Sequence, residues 1–172
     1  MMTRERLKGA YSEGEALAIY QELKDTGNFV DFCETMMRDE DYQVARNALW
    51  GLTKASNSEL MQLKPLQNSL IDLAMTTPNS SVRRLSLNIV ERLKMEEGEV
   101  RTDFLDFCLE HMADVKEFPG IQSLCMKLAY RMCSFYPELM GELRRTVEAM
   151  EMDYYSPAVR SVRKRIINIT QR

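Results

Sequence analysis

Four segments of the chain begin alike and return at an almost constant distance: "DYQVARNALWGL" from 41, "NSSVRRLSLNIV" from 79, "FPGIQSLCMKLA" from 118 and "SPAVRSVRKRII" from 156. Their anchoring residues Val44, Val82, Ile121 and Val159 are 38, 39 and 38 positions apart. A second signature precedes them. "FVDFC" at 29–33 reappears as "FLDFC" at 104–108, 75 positions later, with "LIDLA" at 70–74 as a weaker middle copy. Self-similarity at a period near 38 means a repeated unit that cannot bury its apolar face alone and must stack on its neighbours.

Each unit reads as two helices. Phe29, Phe32, Cys33 and Met36 fall at i, i+3, i+4 and i+7, one face of a helix, and Phe104, Phe107, Cys108 and His111 take the same offsets. On this spacing Phe32 and Phe107 are expected to be buried equivalents. The second helices open on side chains that cap exposed amides, Asp41, Ser80 or Ser81, and Ser156, with Pro119 and Pro157 suited to a first turn. "KDTGN", "KASNSE", "KMEEGE" and "SFYPE" mark the stops. There is no Asn-Gly or Asp-Gly turn between alternating strands, so an all-α chain of helical pairs is expected.

The ends differ from the middle. "EALAIYQELKD" supplies Ala16, Ile19, Tyr20 and Leu23 as an extra amphipathic helix that would cover the first unit. In the last unit Val159, Val162, Ile166 and Ile169 form one apolar stripe beside Arg160, Arg163 and Lys164, as a terminal cap requires.

The helix starts "VARNAL", "VRRLSL" and "VRSVRK" resemble those of the HEAT repeat family over roughly residues 28–171, with Ala45 and Gln122 standing where such units usually carry the Arg that Arg83 and Arg160 supply. The resemblance implies a right-handed α-α superhelix, a solenoid of about four helical hairpins plus an N-terminal capping helix. As a domain plan this gives one repeat domain over 1–172, with a cap at 1–27 and repeats at about 28–57, 58–97, 98–136 and 137–172.

In HEAT-like stacks the second helices line the concave side, so the positions two, six and nine after each anchor should form a row. These are Arg46, Trp50 and Thr53; Arg84, Asn88 and Glu91; Ser123, Lys127 and Tyr130; Ser161, Arg165 and Asn168. The row is basic and partly aromatic. Its candidate partner-binding residues are Arg46, Trp50, Arg84, Asn88, Lys127, Tyr130 and Arg165, the residue types that most often anchor interfaces being among them. The acids Asp31, Glu34, Asp72, Asp103, Asp106 and Glu110 fall on first helices.

Charge and composition narrow the function. A net charge of −3 gives the whole molecule no electrostatic pull toward nucleic acid or an anionic membrane, although Met95–Glu117 carries a net −6 and Ser156–Arg172 a net +5. Cys33, Cys108, Cys125 and Cys133 form no C-x-x-C pair, and His111 is the one histidine, so neither a zinc set nor a catalytic triad assembles. The cysteines, and methionines such as Met36, Met37, Met112 and Met126, sit at helical spacing and suit core packing. "TTPNSS" lacks the glycines of a phosphate loop, and "EEGE" and "RDED" suit solvated turns. There is no secretory core and no stretch long enough to span a bilayer. The expectation is a cytoplasmic, non-enzymatic interaction module without cofactor or metal, binding another protein or an acidic peptide. The alternative is a DNA-binding protein like the HEAT-like DNA-alkylation-repair glycosylases, which the resemblance brings with it.

Overall fold

A computed structural model describes residues 2–171; Met1 and Arg172, the first residue of the expected cap and the last of the basic C-terminal stretch, lie outside the described residues. Every regular element among the described residues is helical. The all-α class and the pairing of helices expected from the repeat are both observed. The chain divides into two compact units, residues 1–94 and 95–172.

The first unit contains α1 (Arg4–Lys8), α2 (Glu13–Thr26), α3 (Phe29–Met36), α4 (Tyr42–Leu52), α5 (Asn57–Leu60), a 3₁₀ segment (Met61–Leu66), α6 (Gln67–Thr76) and α7 (Ser80–Arg92). α3 pairs with α4 and α6 with α7, while the two second helices α4 and α7 pack side by side. The first arm of the second hairpin is broken into α5, the 3₁₀ turn and α6. Pro65, which has no N–H to donate and crowds the preceding turn, sits in the 3₁₀ piece.

α1 and α2 together cover α4. α2 approaches so closely that a Cβ on Gly51 would lie 2.4 Å from Ile19 Cγ2 and 3.0 Å from Ile19 Cβ. A stiff β-branched neighbour has little room to yield, so glycine is what lets the two helices touch. Gly27 ends α2 in the left-handed conformation, φ 71°, and returns its N–H to Leu23 O at 2.8 Å. α1, which the sequence did not signal, is held by Leu7, fully buried, and by ion pairs from Arg4 to Asp39, Arg6 to Glu22 and Lys8 to Asp41.

The second unit runs from a 3₁₀ turn (Glu97–Glu99) through α8 (Thr102–Ala113), α9 (Pro119–Cys133), α10 (Pro137–Ala149) and a 3₁₀ turn (Met152–Tyr154) to α11 (Pro157–Thr170). α8 pairs with α9, α10 with α11, and the second helices α9 and α11 again pack together.

Helix starts follow the caps in two cases and correct one. Asp41 accepts from Gln43 N at 2.9 Å and Ser156 from Val159 N at 3.3 Å, but α7 is capped by Asn79, which accepts from Val82 N at 3.0 Å, rather than by Ser80 or Ser81. The two serines lie inside the first turn, one and two positions too late to reach that amide.

Position 83 explains the HEAT-type arginine. Arg83 donates to Ala74 O and Thr77 O, closing the carbonyl end of α6, and Gln122 at the equivalent place donates to Asp114 O at 2.6 Å after α8. In the last hairpin Arg163 does this work, donating to Val147 O at 2.6 Å. The open carbonyls of a helix end need donors, and these three hairpins each recruit one from the second helix.

The expected stripes are adjusted in detail. Met37, not Met36, is the buried methionine of α3, and its counterpart Met112 is buried while His111 is half-exposed. Phe107 is also half-exposed, unlike the buried Phe32, and Ile169 is 50% exposed rather than part of the α11 core stripe. All four cysteines are buried and free. Burial pushes the Cys33 thiol up to about 12 and that of Cys133 to about 11, which makes them poor nucleophiles.

Candidate binding cleft

Three of the row positions of the first unit converge on one feature. Arg46 and Trp50 project from α4 and Arg84 from α7, and the three line a cleft of about 310 Å³ together with Tyr11, Ser81 and Leu85. α4 and α7 run side by side, so residues two and six past one anchor meet the residue two past the next.

Burial grades across the cleft. Arg46 and Trp50 are half-buried, Arg84 is exposed, and Tyr11 is 69% exposed at the rim. Arg46 is held from behind. Its Nε donates to Asn47 Oδ1 at 3.1 Å, and the fully buried Asn47 donates its own Nδ2 to Leu7 O at 2.6 Å. The Trp50 ring carries the Lys54 ammonium 6.0 Å from its centroid, a cation–π arrangement, while Lys54 also pairs with Glu13. Among the described residues Arg84 has no hydrogen bond or ion pair, and no carboxylate lines the cleft. Two guanidinium groups are therefore presented without internal neutralisation.

The other row residues lie elsewhere. Asn88 sits one turn further along α7, half-buried and outside the cleft lining. Lys127 and Tyr130 are half-buried on α9, and Arg165 is exposed on α11, all three in the second unit. A depression of about 760 Å³ in that unit is lined by other residues, among them Val115, Glu142, Arg145, Met150, Glu151 and Tyr154. Repeat spacing gave no hint of it, because it is formed by turns and by first-helix positions.

Sequence reasoning missed Tyr11 and Ser81. Tyr11 stands between α1 and α2, a junction visible in the sequence as the capping box of Ser12 and Glu15. Ser81, a candidate cap by sequence, lies inside α7 and lines the cleft instead.

Other chemistry is unsupported by geometry. His111 Nδ1 lies 2.7 Å from Glu117 Oε2 and its ring stacks on Phe107 at 3.9 Å, a packed and bonded histidine. Among the described residues no group of His, Cys, Asp and Glu is arranged to hold a metal ion, and no helix is long and apolar enough to cross a membrane.

The chain matches a family described as a HEAT repeat domain over residues 3–170. No curated protein and no solved structure matches significantly.

Proposed function

Because the chain belongs to the HEAT repeat family, matched from residue 3 to residue 170, we propose that it is a non-enzymatic binding module whose first unit takes an acidic segment of a partner protein. The observation that carries this reading is the cleft in which Arg46, Arg84, Trp50 and Tyr11 meet with no carboxylate among them. Arginine and tryptophan in a recessed site are the groups that most often dominate interface energy. Rigid helices fix them in advance, which lowers the entropy lost on binding.

Lys127, Tyr130 and Arg165 hold the corresponding repeat positions on α9 and α11 and have no bonded side-chain partner among the described residues. Four free thiols suit the cytoplasm, whose reducing conditions keep cysteines unpaired.

Trp50 is the single tryptophan, so its fluorescence reports on the cleft directly. Titration with a Glu-rich peptide should perturb that signal, and Arg46→Glu combined with Arg84→Glu should abolish binding. A double variant that binds the peptide like the parent would refute the proposal. Duplex DNA supplies the control: tighter binding to DNA, falling steeply with salt as phosphate contacts require, would replace a protein partner by nucleic acid.

A further inference from the structure

We infer that the anion this cleft accepts is a phosphate monoester carried on a protein segment, an inference that rests on the acidic-segment reading and makes it more specific. The argument begins at Asn47. Its side chain is fully buried, and because Nδ2 donates to Leu7 O at 2.6 Å its Oδ1 is turned to Arg46, accepting from Nε at 3.1 Å. A guanidinium has five N–H donors in a planar fork. With Nε satisfied from inside the protein, Arg46 keeps both terminal nitrogens, four donors, for a ligand, and it is oriented by a fully buried side chain.

Arg84 adds a second, unpaired fork on the facing helix. Ser81 and Tyr11 add hydroxyls, neither of which has a side-chain hydrogen bond among the described residues. The cleft therefore offers two cations and two hydroxyls against no carboxylate. A carboxylate, with one charge and two oxygens, leaves part of this set unused. A phosphate monoester brings three terminal oxygens and about −1.5 to −2 charges, and arginine forks bind it in bidentate fashion.

Size and charge point to a protein-borne group. A volume of about 310 Å³ is at the lower end of small-ligand sites and suits one modified side chain, with Trp50 and Leu85 as apolar walls for its neighbours. Nucleic acid would need many cations along its backbone, whereas this chain is net −3 and places two arginines at the cleft.

The test uses the full chain and three degenerate peptide pools that differ at one fixed position, which is phosphoserine, glutamate or serine. Binding is read by Trp50 fluorescence and, in parallel, by calorimetry, so that a silent tryptophan is not mistaken for no binding. The phosphoserine pool should bind at least about tenfold more tightly than the glutamate pool, in line with charge-assisted bidentate contacts. Inorganic phosphate should compete. Arg84→Lys keeps the charge but removes the fork, and since Arg84 is exposed the fold should survive, as circular dichroism would verify. In that variant the tenfold preference should shrink to near parity. Equal binding of the phosphoserine and glutamate pools, or a preference untouched by Arg84→Lys, overturns the phosphate inference and leaves the acidic-segment reading standing. Binding of neither pool overturns both.

Discussion

The pentapeptides FVDFC and FLDFC make the same helix face in two units, yet they are not packed alike. Phe29 and Phe104 are both buried, and Cys33 and Cys108 both fully so. The second phenylalanines part company: Phe32 is 8% exposed, whereas Phe107 is half-exposed and stacks on His111. The repeat thus keeps its first phenylalanines and its cysteines buried alike, while the second phenylalanines differ in exposure between the two units.

The second helices show the same rule more strongly. α4 buries seven of its eleven residues and packs mainly against α1, α2, α3 and α7. α11 buries three of fourteen and packs mainly against α9 and α10. Small residues Ala45, Ala48 and Gly51 admit neighbours on several sides of α4, while α11 turns Arg160, Lys164 and Arg165 to solvent. An embedded helix and a terminal one have grown from the same repeat start.

Truncations give the largest expected effects and test the first comparison directly. Phe29→Ala and Phe104→Ala should each cost about 3–5 kcal/mol, whereas Phe32→Ala should lie near the low end of that range and Phe107→Ala at about half of it. Urea midpoints would show this ordering, and equal losses at positions 32 and 107 would mean the two faces are packed alike after all. Next comes Gly51→Val, which drives a branched side chain into Ile19. Overpacking of this kind should cost about 1–3 kcal/mol, and the same substitution at the open Gly98 should cost much less.

Arginine locks come third. Arg92 donates to Thr53 O at 2.8 Å, to Ala55 O and to Asn57 Oδ1, so it ties α7 to the end of α4; burial lowers its basicity somewhat. Arg163 makes a corresponding bond to Val147 O. Arg92→Met should cost about 1–3 kcal/mol by orphaning carbonyls, and Arg163→Met less, because its second contact, to Glu148 O, is long at 3.5 Å.

The smallest effect concerns α1. The Arg4 guanidinium, donating to both Asp39 oxygens at 2.6 and 2.8 Å, holds the Asp39 carboxyl down to about 2. A carboxyl depressed in the folded state stabilises fully above its unfolded value near 3.9, and that contribution is lost as pH falls toward about 2. Asp39→Asn should flatten the loss of stability between about pH 4 and pH 2, measured by thermal melts. An unchanged acid limb would show that this ion pair does not hold α1 in place.

Much of this molecule was written in its spacing. The second helices, their Val44, Val82, Ile121 and Val159 anchors, and the meeting of Arg46, Trp50 and Arg84 all follow from periodicity, because a helix fixes the direction of every side chain relative to its anchor. α1 was not legible: five residues long, it is too short for a periodic signal and exists through Leu7 burial and the bonds of Arg4, Lys8 and Asn47. Tyr11 escaped for the same reason, since it reaches the cleft by way of that short helix.

Local pattern by itself determined the second helices, their pairing and the repeat, for these depend on contacts within about 40 residues of chain. Tertiary structure alone decided which equivalent positions are buried, which carbonyls Arg83, Gln122 and Arg163 close, and that Asn47 turns Arg46 toward the cleft. Those outcomes depend on which groups meet once the helices have packed, and a side chain's spacing along the chain does not specify its neighbours in space.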